Sequence, residues 1–242
     1  MTRRALVPLL ALVLLTSACT ASGGPARPRG HWADAPVAAD ERGPHQATGP
    51  RGDLDAAAFV LLSGVTAVTV RLADLDGDLY RARTAAGSGV APVARRDGAE
   101  VRLSVEGSGH AEVEVTLHRA VRWQLRFAGG VRDVTVDGAG GDVSGVEVAG
   151  GAARIGLTLP APRGTVPVVM SDGAGEMTVR APAGVPVRLR IGGGAGAVVV
   201  DGAARAGIPA GTVVVDAAWP PARDRYDVQL AAGVSRVVVD RG

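Results

Sequence analysis

The chain has 242 residues, and its 26 basic residues against 24 acidic ones owe their excess to Arg3 and Arg4, so everything after residue 18 is balanced. A balanced chain lacks the clustered Lys and Arg that grip a phosphate backbone, which argues against a nucleic-acid partner. Lysine is absent, which excludes Schiff-base and P-loop chemistry, and a single cysteine leaves no pair for a disulfide or a thiolate metal centre.

Arg3 and Arg4 precede an apolar run from Ala5 to Leu15, too short to span a bilayer comfortably. Ser17 and Ala18 are the small residues of a cleavage site, and Thr16 stands where Leu is more usual. The next residue is Cys19. A bacterial lipoprotein signal requires cysteine at the first mature position, because its thiol accepts diacylglycerol. Residues 1–18 are therefore expected to be a lipoprotein signal peptide and Cys19 the lipidation site. That sets the expected address: the extracytoplasmic face of the cell membrane, reached through the lipid on Cys19. Residues 19–55 are rich in Pro, Gly and Ala and hold no period of 2 or 3.6, so a disordered tether is expected there. The abundance of Ala, Gly, Val and Arg, with no Lys or Asn, is the bias of a high-GC bacterial genome.

From residue 56 the chain repeats. A glycine is followed four and six residues later by apolar side chains at Gly64 (Val68, Val70), Gly130 (Val134, Val136), Gly151 (Ile155, Leu157), Gly173 (Met177, Val179), Gly194 (Val198, Val200) and Gly233 (Val237, Val239). The spacings from 130 to 194 are 21, 22 and 21 residues, and the final gap of 39 has room for two periods. An alternating run precedes the glycine in most copies, as in Trp123-Leu125-Phe127 and Tyr226-Val228-Leu230. Period 2 is the period of a strand with one face buried, and glycine's freedom at positive φ suits a corner between two strands. One such unit cannot bury its own apolar row, but stacked copies can. The expected fold is all-β, a short β-solenoid or stacked β-meander of about 21-residue repeats over 56–242. Residues 56–118 are its irregular half, with strands near Val65–Leu72, Leu79–Arg83, Ala99–Val105 and Ala111–Leu117, and residues 119–242 its regular half. Pro167 and Pro186 predict strand edges or starts.

The segments Leu125-Arg126-Phe127-Ala128-Gly129-Gly130, Val166-Pro167-Val168 and Val185–Gly196 resemble actinobacterial lipoproteins of the adhesin-like, or toast-rack, type, similar to the C-terminal domains of LiaF-like envelope-stress proteins. The resemblance runs from about Ala56 to Asp240 and rests on structural Gly–Val patterns. It implies a β-solenoid or stacked meander with a non-enzymatic envelope role, and it brings no active-site residues with it.

The local motifs read as turn chemistry. Gly192-x-Gly194-x-x-Ala197 follows a strand like a dinucleotide fingerprint, but Val198-Val199-Val200 continues as strand where a helix N-terminus is needed. Gly138-Ala139-Gly140-Gly141-Asp142 is a single imperfect copy of a calcium nonapeptide, which works only in tandem. Asp137, Asp201, Asp216 and Asp240 close Val-rich strands. They are expected to cap turns; a carboxylate row of a polysaccharide-active hydrolase or lyase is the alternative. His31, His45, His110 and His118 have no metal-ligand spacing, and Ser108 sits in a hairpin loop. Trp123 and Phe127 are expected in the core or capping the end of the stack. Trp219, before Pro220-Pro221, is the candidate exposed contact, with Tyr226 beside it. No cofactor, metal or catalytic residue is expected, and binding is expected to fall on residues 56–118 and the Ala217–Asp224 loop, toward an envelope protein or glycan.

Overall fold

In the computed structural model, residues 45–242 are described; the expected signal peptide, Cys19 and the expected tether up to residue 44 lie outside them. The described chain is all-β, nineteen strands in a ten-stranded and a nine-stranded sheet. Seven rungs form its body. Each is one strand of the nine-stranded sheet, a tight corner, and one strand of the ten-stranded sheet. In chain order the rungs are β2–β3 (Ala56–Leu61, Val65–Ala73), β6–β7 (Glu100–Gly107, Glu112–His118), β8–β9 (Arg122–Phe127, Val131–Asp137), β10–β11 (Asp142–Val148, Ala152–Thr158), β12–β13 (Thr165–Met170, Ala174–Ala181), β14–β15 (Val187–Ile191, Ala195–Val200) and β18–β19 (Arg225–Leu230, Val234–Arg241). Neighbouring rungs pair in parallel in both sheets, which makes the body a solenoid; a meander would pair antiparallel.

The repeat residues meet in continuous rows. Val113, Val68, Val134, Ile155, Met177, Val237 and Val198 stand opposite one another across seven strands. A parallel row runs from Val115 through Val70, Val136, Leu157 and Val179 to Val239 and Val200. The facing sheet supplies Phe59, Leu61, Trp123, Leu125 and Phe127, each at most 1% exposed. Trp123 and Phe127 therefore lie mid-stack in the core and cap no end.

The rungs do not stack in chain order. Rung two is outermost beyond rung one, and the last rung inserts between rungs five and six, giving the order 2-1-3-4-5-7-6. Each reversal is accompanied by an insertion that caps an end. Between rungs one and two, β4 (Asp78–Thr84) and β5 (Val90–Asp97) run antiparallel on the outermost strands of the two sheets. Between rungs six and seven, β16 (Ala203–Ile208) and β17 (Thr212–Val215) do the same at the far end. The 39-residue gap thus holds one cap and the two strands of a single period, β15 and β18, instead of two periods.

Two further expectations are corrected. The tether does not reach residue 55: Gln46–Pro50 forms β1, an antiparallel edge strand on β4, with Thr48 buried. Pro167 lies inside β12, an interior strand, where the ladder to β10 begins only at Val168. Its missing N–H falls where that ladder has not yet begun. Pro186 directly precedes β14, as a strand start should.

Glycine serves the corners by a different route from the one expected. Of the six repeat glycines only Gly194 has positive φ (+85°). What the corners need is room. A Cβ on Gly129 would lie 2.3 Å from the Ser63 backbone, and one on Gly193 would lie 2.4 Å from the backbone of Ala232 and Gly233. The corners stack so closely that a side chain at these positions would enter the next rung.

Candidate functional site

Trp219 and Tyr226 are buried, not exposed contacts. Trp219 is 8% exposed, and its ring lies between the guanidiniums of Arg188 and Arg225, each 3.8 Å from the ring centroid. Its Nε1 donates to the Tyr226 carbonyl at 2.9 Å, and Arg225 Nη1 donates to the Trp219 carbonyl at 2.8 Å. Pro220-Pro221 suggested an exposed loop tip, but the two cations pull the indole down onto the sheet. Trp219 latches the 201–224 insertion to the stack. Tyr226 is fully buried, and its hydroxyl donates to the Pro160 carbonyl at 2.7 Å. Burial pushes its hydroxyl pKa up, and the nearby Asp142 charge adds to that. Arg188 and Arg190 also converge on Asp227, where burial opposes the charge but the hydrogen bonds from both arginines outweigh it and hold the carboxyl below its ordinary range.

The strand-closing aspartates do not form a carboxylate row. Asp137 and Asp240 stand at one level of the ten-stranded sheet, but Thr158 and Arg180 come between them. Asp137 and Asp216 accept the N–H of the residue two further on, at 3.4 and 2.8 Å, which is the turn-capping role expected of them. Asp201 and Asp216 share the Arg241 guanidinium. The Arg241 hydrogen bond lowers the Asp201 pKa; the Ala218 N–H, followed by Arg241, lowers that of Asp216. General acid–base work needs two carboxylates pushed apart in pKa, and these two are held down together.

Of the described histidines, His118 and His45 are held by hydrogen bonds. His118 is 5% exposed; its Nδ1 accepts the Ala120 N–H at 3.1 Å, and its Nε2 faces the Asp76 carbonyl at 3.2 Å, so the Nε2–H tautomer fits. His45 Nδ1 lies 3.1 Å from the Val90 carbonyl, His110 is exposed, and His31 lies outside the described residues. Among the described residues no three His, Cys, Asp or Glu side chains are placed to hold a metal. Gly192–Ala197 is a corner between β14 and β15, with strand where the dinucleotide motif needs helix.

The strongest site is one the sequence motifs did not assemble. The connections that return from the ten-stranded to the nine-stranded sheet stack along one edge of the solenoid, and between them opens a cleft of about 620 Å³, lined by Asp55, Arg119, Arg122, Gly141, Asp142 and Arg163. Asp142 heads β10 with its side chain 12% exposed, between Arg163 Nη1 at 3.3 Å and Arg122 Nε at 3.8 Å. Arg122 Nη2 donates to the Arg163 carbonyl at 2.9 Å, and Arg119 reaches Asp74 at 3.3 Å. Tyr226 stands behind the cleft and holds the 159–164 connection through Pro160. Asp142 Oδ1 and Arg122 Nε are buried without a hydrogen-bond partner. Three guanidiniums and two carboxylates line the cleft itself, with Asp74 pairing Arg119 from outside it, so the Gly138–Asp142 loop, the turn its sequence indicated, borders a site with guanidinium donors for an anion. The six residues come from four separate segments, which is why no spacing pointed to them.

No family model and no curated protein matches the chain. Among solved structures, a protein named as a putative cell adhesion protein from Clostridium sporogenes superposes with a TM-score of 0.58 at 15% identity, over 83% of this chain and 100% of that one. A putative adhesin from Bacteroides fragilis aligns over 80% of this chain and 96% of that one, at 8% identity and a TM-score of 0.25, too low to carry an argument. The similarity to the clostridial protein is one of fold, shared over 83% of this chain and the whole of that one.

Proposed function

We propose that the chain is a lipid-anchored extracytoplasmic protein with an adhesin-like, non-enzymatic binding role, and that its cleft takes an anionic group, a carboxylate or phosphate, of an envelope glycan. The observation that carries the binding reading is the arginine cleft, whose exposed Arg119 and Arg163 side chains offer forked donors to an oxyanion. The name of the structurally similar clostridial protein supports the adhesin-like part of this reading. Against the hydrolase or lyase alternative stand Asp201 and Asp216, both tied to one guanidinium. Address and binding are tested separately. Cys19→Ser should lose labelled palmitate and leave the membrane fraction; unchanged retention overturns the anchor. Polygalacturonate is the probe for the cleft. The full chain should bind it with an affinity that falls as salt rises, and an Arg122→Gln/Arg163→Gln double variant should lose that binding. Equal binding by the variant, or turnover of the polymer, overturns the cleft reading.

A further inference from the structure

We propose that the β17 end of the solenoid is a self-association surface, where two copies of this chain join edge to edge through antiparallel β17 strands. It goes beyond the binding reading above and needs neither the anchor nor the arginine cleft.

The two ends of the stack are finished differently. At the β1 end the sheets are bonded to each other: Thr84 Oγ1 donates to the Val90 carbonyl at 2.8 Å, and Arg96 Nη1 donates to the Pro50 carbonyl at 2.8 Å. The edge strands there carry the usual protections, Pro50 on β1 and Pro92, Arg95 and Arg96 on β5. At the other end, among the described residues, no hydrogen bond joins β16 to β17, and the sheets meet instead through Arg241 of β19, which donates to Asp216 just after β17. A slot of about 270 Å³ opens between the sheets there, walled by Val187, Leu189, Val200, Val214 and Val239 and bordered by the Asp216–Arg241 ion pair. Strand β16 has a guard of its own: Arg205 stands opposite the buried Val198, so its charge lies on the inner side. Strand β17, Thr-Val-Val-Val, has no proline and no charge. Val213 and Val215 are 54% and 50% exposed, and with Leu62 they are the exposed large hydrophobics of the described chain.

The edge of β17 is complementary to itself. Asp216 N–H donates to the Val187 carbonyl at 3.2 Å, so the backbone groups of 212, 214 and 216 turn toward β14. Those of Val213 and Val215 turn outward, leaving two donors and two acceptors on the free edge. A two-fold axis through Val214 places Val213 opposite Val215 of a second copy and satisfies all of these groups in four hydrogen bonds. The same register puts the exposed valines of both copies on one outer face and Val214 against its symmetry mate on the inner face. Any register shifted by one residue would oppose an outward valine to an inward one. Matching of both hydrogen bonds and faces in one isologous arrangement is what commits the edge to a second copy.

The test uses the full chain in detergent with Cys19→Ser, so that an introduced cysteine is the sole thiol. In the proposed register Val214 pairs with itself as a non-hydrogen-bonded pair, Cα atoms about 4.5 Å apart, within disulfide reach. Val213 lies about 8 Å from its own mate, beyond reach. Val214→Cys should therefore give a covalent dimer on mild oxidation, and the more exposed Val213→Cys should give none. Sedimentation should show a dimer that Val213→Lys/Val215→Lys converts to monomer with an unchanged circular-dichroism spectrum. A monomer at every concentration, equal cross-linking at 213 and 214, or a dimer that survives the double lysine variant would each overturn the proposal.

Discussion

Replacing Trp219 by alanine separates a latch from a ligand contact. The indole is 8% exposed, gives one hydrogen bond to the Tyr226 carbonyl, and is covered by two guanidiniums at 3.8 Å. The hydrogen bond is worth about 1 kcal/mol and each cation–π contact roughly 0.5–1 kcal/mol. With the lost apolar burial, the total falls in the range of about 3–5 kcal/mol seen for buried Trp→Ala changes. For a domain of this size that corresponds to a fall in Tm of about 6–20 °C. Trp219→Phe keeps a ring between the arginines and loses the N–H, so it should cost about 1 kcal/mol and a few degrees. Thermal melts followed by circular dichroism read both. A Trp219→Ala protein that melts with the wild type, yet loses capture of an envelope ligand, would refute the latch and restore Trp219 as a contact.

Tyr226→Phe removes the donor to the buried Pro160 carbonyl and should cost about 1–3 kcal/mol in chemical denaturation, weakening probe binding at the cleft through the Pro160–Arg163 connection. Gly193→Ala drives a Cβ to 2.4 Å from the neighbouring corner's backbone and should destabilise by about 1–3 kcal/mol; Gly64→Ala, whose nearest atom is at 3.3 Å, should cost clearly less. Asp201, Asp216 and Asp227 have folded pKa values below their ordinary range, so their contribution is fully present above about pH 4, the unfolded value, and is lost as pH falls through the folded values. The denaturation midpoint should hold steady from neutrality to about pH 5 and drop below about pH 4, and Asp227→Asn should flatten that drop. A midpoint that rises on acidification would contradict these pairings.

The repeat was legible because burial on one face of a strand imposes a period of two, and a stack imposes the same period on every rung. The glycine register alone therefore identified the valine rows and an all-β body over its whole regular half. The strands β3, β4, β6 and β7 of the irregular half were legible for the same reason, since each carries an alternating buried face. Rung order was not legible. Rungs of like pattern are interchangeable in a local reading, so only tertiary packing decides that β18–β19 enters between β12–β13 and β14–β15. The edge strands escaped for a related reason: β1, β16 and β17 bury too little for alternation to mark them, and β16 is exposed along nearly its whole length. The fate of Trp219 and the arginine cleft depended on partners far off in sequence, Arg188 for the one and Asp55, Arg122 and Arg163 for the other. A guanidinium's position over a ring or beside a carboxylate is set by how the rungs stack, and no spacing along the chain records it.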